Sequence, residues 1–181
     1  MRPLILLDVD GTVAAKNSLV LPSDKVPLHH WDNLTKETVP TFTSKGSPTT
    51  LSASFSPTVL AAFNSFTQHA EVRWFTDWFA DAPMFFEEFG AMSFCVEGTD
   101  DFVDDITHEW WKLAFLRENH LDRKIIWIDD CLNTEAGVTR WIEEQNGRVQ
   151  FLQPNARTGI TSDDLTIINE MLLSMRSNKN R

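Results

Sequence analysis

The segment Asp8-Val9-Asp10-Gly11-Thr12-Val13 sets two carboxylates two residues apart, with a glycine between the second acid and a threonine. In extended backbone, residues i and i+2 project to the same side, so both acids can face one reactant. Carboxylates so placed can divide phosphoryl transfer between them: one attacks phosphorus and the other handles the proton of the leaving group. An acid pair in a turn is common, so its surroundings must carry the assignment. The apolar run Leu4-Ile5-Leu6-Leu7 directly before Asp8 does this, because it reads as a strand that delivers the pair to a sheet edge.

A second acid pair, Asp129-Asp130, ends the apolar run Ile125-Ile126-Trp127-Ile128 just as Asp8 ends the first. If both runs are parallel strands, all four carboxylates meet at one edge, where they repel one another. A hard divalent cation resolves that conflict, and magnesium binds through one or two carboxylates, waters and a substrate phosphate. The competing account of Asp129-Asp130 is a solvated acidic turn that caps a helix beginning at Thr134. Thr76 follows Val72-Arg73-Trp74-Phe75 and so reaches the same edge, where its hydroxyl and nearby N–H groups can hold phosphate oxygens. Phosphoryl transfer further needs a cation to offset charge on the transferred group. Lys124 starts the strand that ends before Asp129, which puts it about 17 Å away at ~3.3 Å per residue, on the wrong edge. Lys112 lies in the first turns of the preceding helix, which runs back across the sheet and so begins at the right one; it is chosen.

These groups need a scaffold of strands and helices. Residues 3–8, 72–75, 92–96, 125–128 and 149–152 read as five parallel strands covered on both faces. Between them lie amphipathic stretches. Ser56 can cap and Pro57 open a helix with Val59, Ala62, Phe63 and Phe66 on one face. Asp81 and Pro83 open a second, with Phe85, Phe86 and Phe89, stopped by Gly90. A third follows Thr107 and holds Trp110, Trp111, Lys112 and Phe115, and a fourth runs from about Thr134 through Val138, Trp141 and Ile142 to Gly147. Thr161-x-x-Asp164 reads as a capping box for a last helix with Leu165, Ile168, Leu172 and Met175 on one side. Strands alternating with helices imply a parallel α/β sheet. Residues 14–55 are the exception: no helical period shows, and Lys45-Gly46-Ser47-Pro48 marks a turn within a β-hairpin flap spanning Thr41 to Phe55. Because this insert follows the first strand, it emerges at the edge where such sheets bind ligands, and a flap there would close the site against water.

Composition bounds the rest. The 181 residues suit one domain over 1–181, with 14–55 as its insert, and 42% hydrophobic content supplies a core, which excludes disordered and fibrous classes. No apolar run approaches the ~20 residues that cross a bilayer, and Asp8 cuts the first one short of a secretory signal; a cytoplasmic protein is expected. Cys95 and Cys131 have no metal-ligand or disulfide spacing and read as buried thiols. With 26 acids against 16 bases, a net charge of −10 argues against sheathing a long nucleic-acid duplex, while a small or terminal phosphate remains open.

With these elements in order, the chain resembles the haloacid dehalogenase (HAD) superfamily of aspartate-nucleophile phosphohydrolases. Asp8-Val9-Asp10-Gly11-Thr12 is similar to its first motif, Thr76 after an apolar strand to its second, Lys112 to its third and Ile128-Asp129-Asp130 to its fourth. The likeness covers Pro3 to about Leu152 without the insert. A narrower resemblance, to the HAD domains named for "Swiss Army Knife" RNA repair proteins, rests on four segments. These are Trp74-Phe75-Thr76-Asp77-Trp78, Trp111-Lys112, Trp127-Ile128-Asp129-Asp130, and Gln153-Pro154 through Thr158-Gly159-Ile160-Thr161. Phe75 stands where that subgroup has a small residue.

The resemblance implies a HAD-like Rossmannoid three-layer α/β fold and a Mg²⁺-dependent phosphomonoesterase. Asp8 would be the nucleophile and Asp10 the acid and base. Mg²⁺ would be held by Asp8, the backbone carbonyl of Asp10, and Asp129, with Asp130 as a further contact. Thr76 and Lys112 would bind the transferred group, with Gly11, Thr12, Asp77 and Trp78 also at the phosphate or substrate. The implied substrate is a nucleotide or a nucleic-acid terminal phosphate, a sugar or metabolite phosphate being the alternative, and a catalytically silent binding protein on the same fold a third reading. His29, His30 and Trp31 in the 14–55 insert could touch a leaving group, although packing of Trp31 on the core is the blander account. The acid run Asp100 to Asp105 would repel an extended polyanion. A phospho-accepting receiver domain is disfavoured, since its acceptor follows the third strand, and nothing acidic directly follows Phe94-Cys95.

Overall fold

The computed structural model describes residues 2–16, 35–42, 48–98, 110–120 and 122–177. In chain order the elements are β1 (Leu4–Leu7), β2 (Thr35–Phe42), β3 (Pro48–Phe55), α1 (Pro57–Phe66), β4 (Glu71–Trp74), α2 (Asp81–Glu87) and β5 (Cys95–Val96). They continue as α3 (Trp111–Glu118), β6 (Ile125–Ile128), α4 (Val138–Glu144), β7 (Val149–Leu152) and α5 (Ser162–Ser177).

Five strands form one sheet in the order β5-β4-β1-β6-β7, and every pairing in it is parallel. β1 is central, and successive side chains of its apolar run go to opposite faces. Ile5 and Leu7 join Trp74, Ile126 and Ile128 under α1, α2 and α5, while Leu4 and Leu6 join Phe75, Ile125 and Trp127 under α3 and α4. This two-sided burial explains a strand without polar alternation. The expected three-layer α/β architecture is the one observed.

The order of strands also places the site. From β1 the chain builds outward through β4 and β5, then returns to the other side of β1 for β6 and β7. Beside β1 the direction of winding therefore reverses, and a crevice opens at the carboxyl ends of the strands. Register brings the ends level: Leu7 pairs with both Trp74 and Ile128. Asp8, Phe75 and Asp129 are therefore the first residues past three adjacent strands.

Several boundaries differ from the sequence reading, each for a local reason. The third strand was expected over 92–96 but holds only Cys95–Val96, because Phe94 N–H bonds the Met92 carbonyl at 2.7 Å and curls the chain before it can ladder. That curl turns Phe94 inward onto Trp74 and leaves Cys95 exposed rather than buried; Cys131, past the end of β6, is half-buried. Ser56 occupies the N-cap of α1 without a side-chain capping bond, and Ala80 rather than Asp81 caps α2, with Asp81 in its first turn. The fourth helix begins at Val138, not Thr134: the Thr134 hydroxyl and N–H both bind the Cys131 carbonyl, closing a separate turn. Trp110 precedes its helix as the N-cap. The capping box does form, with Asp164 Oδ2 accepting from Thr161 N–H at 2.8 Å and Asp164 N–H reaching Thr161 Oγ1 at 3.3 Å.

The hairpin in the insert is longer than expected. β2 and β3 pair antiparallel from Thr35↔Phe55 to Phe42↔Pro48, so its first strand starts at Thr35 instead of Thr41. Pro40 hides this strand in the sequence, yet a two-stranded ribbon has only edges and tolerates proline there. Val39, Ala53 and Phe55 bury one face of the hairpin in the core, where Phe55 meets Phe85, Phe86 and Phe89 at 5.3–6.0 Å. His29, His30, Trp31, the turn at 45–47, the acid run 100–105 and Thr107 lie outside the described residues. Among the described residues no helix is long and apolar enough to cross a membrane.

Candidate active site

A cleft of about 240 Å³ opens at the carboxyl ends of β1, β4 and β6, lined by the side chains of both acid pairs together with Thr76 and Lys112. Its centre is Lys112, the second residue of α3, which is only 3% exposed. Its Nζ donates to Asp8 Oδ1 at 2.7 Å and to Asp129 Oδ2 at 2.6 Å, bridging the ends of β1 and β6. The rings of Trp110, Phe75 and Trp111 surround the ammonium at 5.3–5.9 Å, a cation–π cage that also keeps water out. Lys124 sits at the other end of the sheet, where it donates to the Met175 carbonyl.

Burial pushes the Asp8 carboxyl up to about 7; Lys112 pulls it down and Asp129 adds to the rise. Asp129 is raised for the same first reason and is likewise eased by Lys112. Burial works against the Lys112 ammonium, but its two carboxylates outweigh that and hold it charged well above the ordinary lysine range. Asp8 is therefore a carboxyl whose ionisation is opposed by burial and eased by Lys112.

The loop after β1 is built to hold its neighbour from β6. Gly11 adopts φ +74°, and a Cβ there would lie 2.6 Å from the Asp130 carboxylate, so the glycine is what lets Asp130 fit. Thr12 is fully buried; its hydroxyl accepts from Asp130 N–H at 3.1 Å and reaches Asp8 Oδ2 at 3.4 Å. The segment 155–160 straps this loop down. Ile160 N–H bonds the Thr12 carbonyl at 2.8 Å, and a Cβ on Gly159 would come within 2.6 Å of that same oxygen. Gly11 and Thr12, expected at the phosphate, thus face Asp130 and the interior rather than the cleft.

The other expected residues are distributed as follows. Thr76 is buried at the cleft, its Oγ1 accepting from Trp78 N–H at 3.3 Å, which leaves its O–H to donate. Asp77 lines the cleft, but its carboxylate accepts from Trp111 Nε1 at 2.5 Å. Asp10 is exposed at the cleft, and Trp78 Nε1 donates to its Oδ2 at 2.9 Å. Trp78 is not part of the lining.

Four lining residues escaped the sequence reading. Lys16 Nζ pairs with Asp130 Oδ2 at 2.6 Å, and Trp110 lies over Lys112 while stacking on Trp127. Cys131 and Glu135 complete the wall. Lys16 is hidden by the irregular sequence around it, and Trp110 reads in the sequence only as one apolar residue of an amphipathic stretch. Among the described residues no part of the hairpin lines the cleft.

The donor set fits a hard divalent cation. Six acids line the cleft, Asp8, Asp10, Asp77, Asp129, Asp130 and Glu135, against two lysines, and this excess of negative charge calls for a counter-ion. Asp129, Asp130 and Cys131 offer ligand atoms within 4.8 Å of one another. Burial pushes the Cys131 thiol up to about 11, so it stays protonated at neutral pH and leaves the carboxylate oxygens as the donors.

No family model and no curated protein sequence matches the chain. Among solved structures it is similar to a fission yeast RNA polymerase II CTD phosphatase, Fcp1, bound to beryllium fluoride. The TM-score is 0.47 and the identity 15%, over 96% of this chain and 50% of that one. A second structure, of Fcp1 described as an essential RNA polymerase II CTD phosphatase, gives TM-score 0.48 and 14% identity over 98% of this chain and 50% of that one. The chain thus spans about half the length of these solved chains.

Proposed function

We propose that the protein is a Mg²⁺-dependent phosphomonoesterase of HAD type that works through an aspartyl-phosphate intermediate. The observation that carries this reading is the Lys112 bridge, which gathers Asp8 and Asp129 from two strand ends and sets a fixed cation beside an otherwise disfavoured carboxylate. Asp8, Asp129 and Asp130, with the Asp10 carbonyl, would hold Mg²⁺, which when bound supplies positive charge at the phosphoryl oxygens.

The chain's own groups divide the chemistry. An Asp8 carboxylate oxygen forms a bond to phosphorus while the ester P–O bond breaks, and Asp10 gives its proton to the departing alkoxide. In the second step Asp10 takes a proton from the water that attacks phosphorus, the Asp8–phosphorus bond breaks, and inorganic phosphate leaves. Lys112 and the Thr76 hydroxyl hold the transferred oxygens, where fixed donors act without reorganising. Splitting the hydrolysis into two steps lowers the barrier each must cross.

The substrate we favour is a nucleotide or a nucleic-acid terminal phosphate, in line with the resemblance to RNA repair domains and with a cleft too acidic for a long polyanion. A cytoplasmic setting agrees with such a substrate. A sugar or metabolite phosphate is the second reading, favoured by the small volume of the cleft. Phosphate release from mononucleotides, 3′- and 5′-phosphorylated oligonucleotides and sugar phosphates, with Mg²⁺ or with a chelator, separates them. Activity lost with the chelator and in Asp8→Asn is expected. Equal release by Asp8→Asn and the unaltered protein would overturn the mechanism, and no release from any ester would leave a binding protein.

A further inference from the structure

Trp78 was expected at the phosphate or substrate, yet it lies outside the cleft lining and its ring packs inward. Its ring stands edge-on to Phe85 at 5.7 Å and stacks on Phe86 at 6.1 Å, and both phenylalanines are fully buried. The turn that carries it is fixed as well, by Phe79 N–H on the Thr76 carbonyl and Asp81 N–H on the Trp78 carbonyl. From this anchored ring, Nε1 donates to Asp10 Oδ2 at 2.9 Å. Asp10 is otherwise exposed, and a short exposed side chain is free to rotate among its rotamers.

An indole N–H only donates. The oxygen it binds therefore acts as an acceptor, and because a carbonyl oxygen accepts more strongly than a hydroxyl oxygen, the bond favours a proton on the other oxygen of the Asp10 carboxyl. We propose that Trp78 is a positioning residue for Asp10: it clamps Oδ2 and so commits Oδ1 to carrying the proton exchanged with the ester oxygen and then with water. The assignment rests on the phosphatase reading above. It requires that Trp78 act on the proton-transfer step alone and leave binding of the transferred group to Thr76 and Lys112.

Trp78→Phe in the full chain keeps the ring between Phe85 and Phe86 and removes the N–H. Two Mg²⁺-dependent reactions are compared, on an alkyl phosphate, whose leaving group needs a proton, and on nitrophenyl phosphate, whose leaving group departs as the anion. The expected result is a fall in kcat/KM about ten- to a hundredfold greater for the alkyl ester than for the nitrophenyl ester, part of the usual range for acid catalysis, because kcat/KM reports transfer to Asp8 and not the hydrolysis step that both esters share. An equal fall on both esters, or none on either, overturns the proposal. A readout free of turnover accompanies it: the indole N–H resonance that disappears in Trp78→Phe should shift in Asp10→Ala, and an unmoved resonance overturns it too. A protein inactive on every ester overturns the phosphatase reading instead, and the resonance then still decides whether the hydrogen bond exists.

Discussion

Replacing Lys112 with methionine keeps an unbranched apolar stem one atom shorter than the lysine while removing its charge. In the native site the ammonium is 3% exposed and makes two charge-assisted hydrogen bonds, at 2.7 and 2.6 Å. Each such bond contributes about 1.5–3 kcal/mol, and breaking a buried ion pair from one side destabilises by about 3–5 kcal/mol. Lys112→Met should therefore lose about 3–5 kcal/mol, a large part of the ~5–15 kcal/mol typical of a folded domain. The loss should depend on pH. Without Lys112, only the Val9 backbone hydrogen bond still pulls the Asp8 carboxyl down against burial, so its folded pKa rises further above the unfolded value. A raised folded pKa favours folding below the unfolded pKa, and that advantage is lost as pH rises through the folded one. The deficit of Lys112→Met should thus be larger at pH 8 than at pH 6. Urea unfolding followed by tryptophan fluorescence, in chelator, measures both values. The double variant Lys112→Met/Asp8→Asn should recover part of the loss, because one unpaired charge is gone. A deficit below about 1 kcal/mol at both pH values, the range of a surface ion pair, would refute the claim that this lysine is what makes the buried acids tolerable.

Two further outcomes follow from the same geometry. Metal-free protein should lose stability as pH rises through about 7, where Asp8 ionises against burial, and Asp8→Asn should flatten that slope; identical pH profiles for the two proteins would contradict it. Gly11→Ala should destabilise by about 1 kcal/mol or more from its positive φ alone. Because the added Cβ displaces Asp130, it should also weaken Mg²⁺ binding measured by calorimetry, and unchanged affinity would show that Asp130 is not a ligand.

Much of the site was legible because its residues sit at the ends of strands that announce themselves. Leu4–Leu7 and Ile125–Ile128 are apolar on both faces, so the edge that bears Asp8 and Asp129 followed from the pattern. The choice of Lys112 over Lys124 followed from the rise of the strand and the direction of the helix before it. Elsewhere local signals misled. The hydroxyl of Thr134 closes a turn instead of starting a helix, and Phe94 curls inward at a sheet edge where a strand was expected. Lys16, Trp110 and the indole bond of Trp78 to Asp10 depend on how loops fold over one another, and no periodicity encodes that. Gly11 and Thr12 were placed at the site by pattern, but only the packing of Asp130 against them reveals what they hold.

The central claim is that Asp8 itself takes the phosphoryl group. Acid quench of the protein during turnover of a phosphate ester with Mg²⁺, followed by proteolysis and mass spectrometry, tests it directly. The account predicts a peptide spanning Asp8 that carries the mass of one phosphoryl group and is absent from Asp8→Asn. Sustained turnover with no adduct, or an adduct on another side chain, would contradict it.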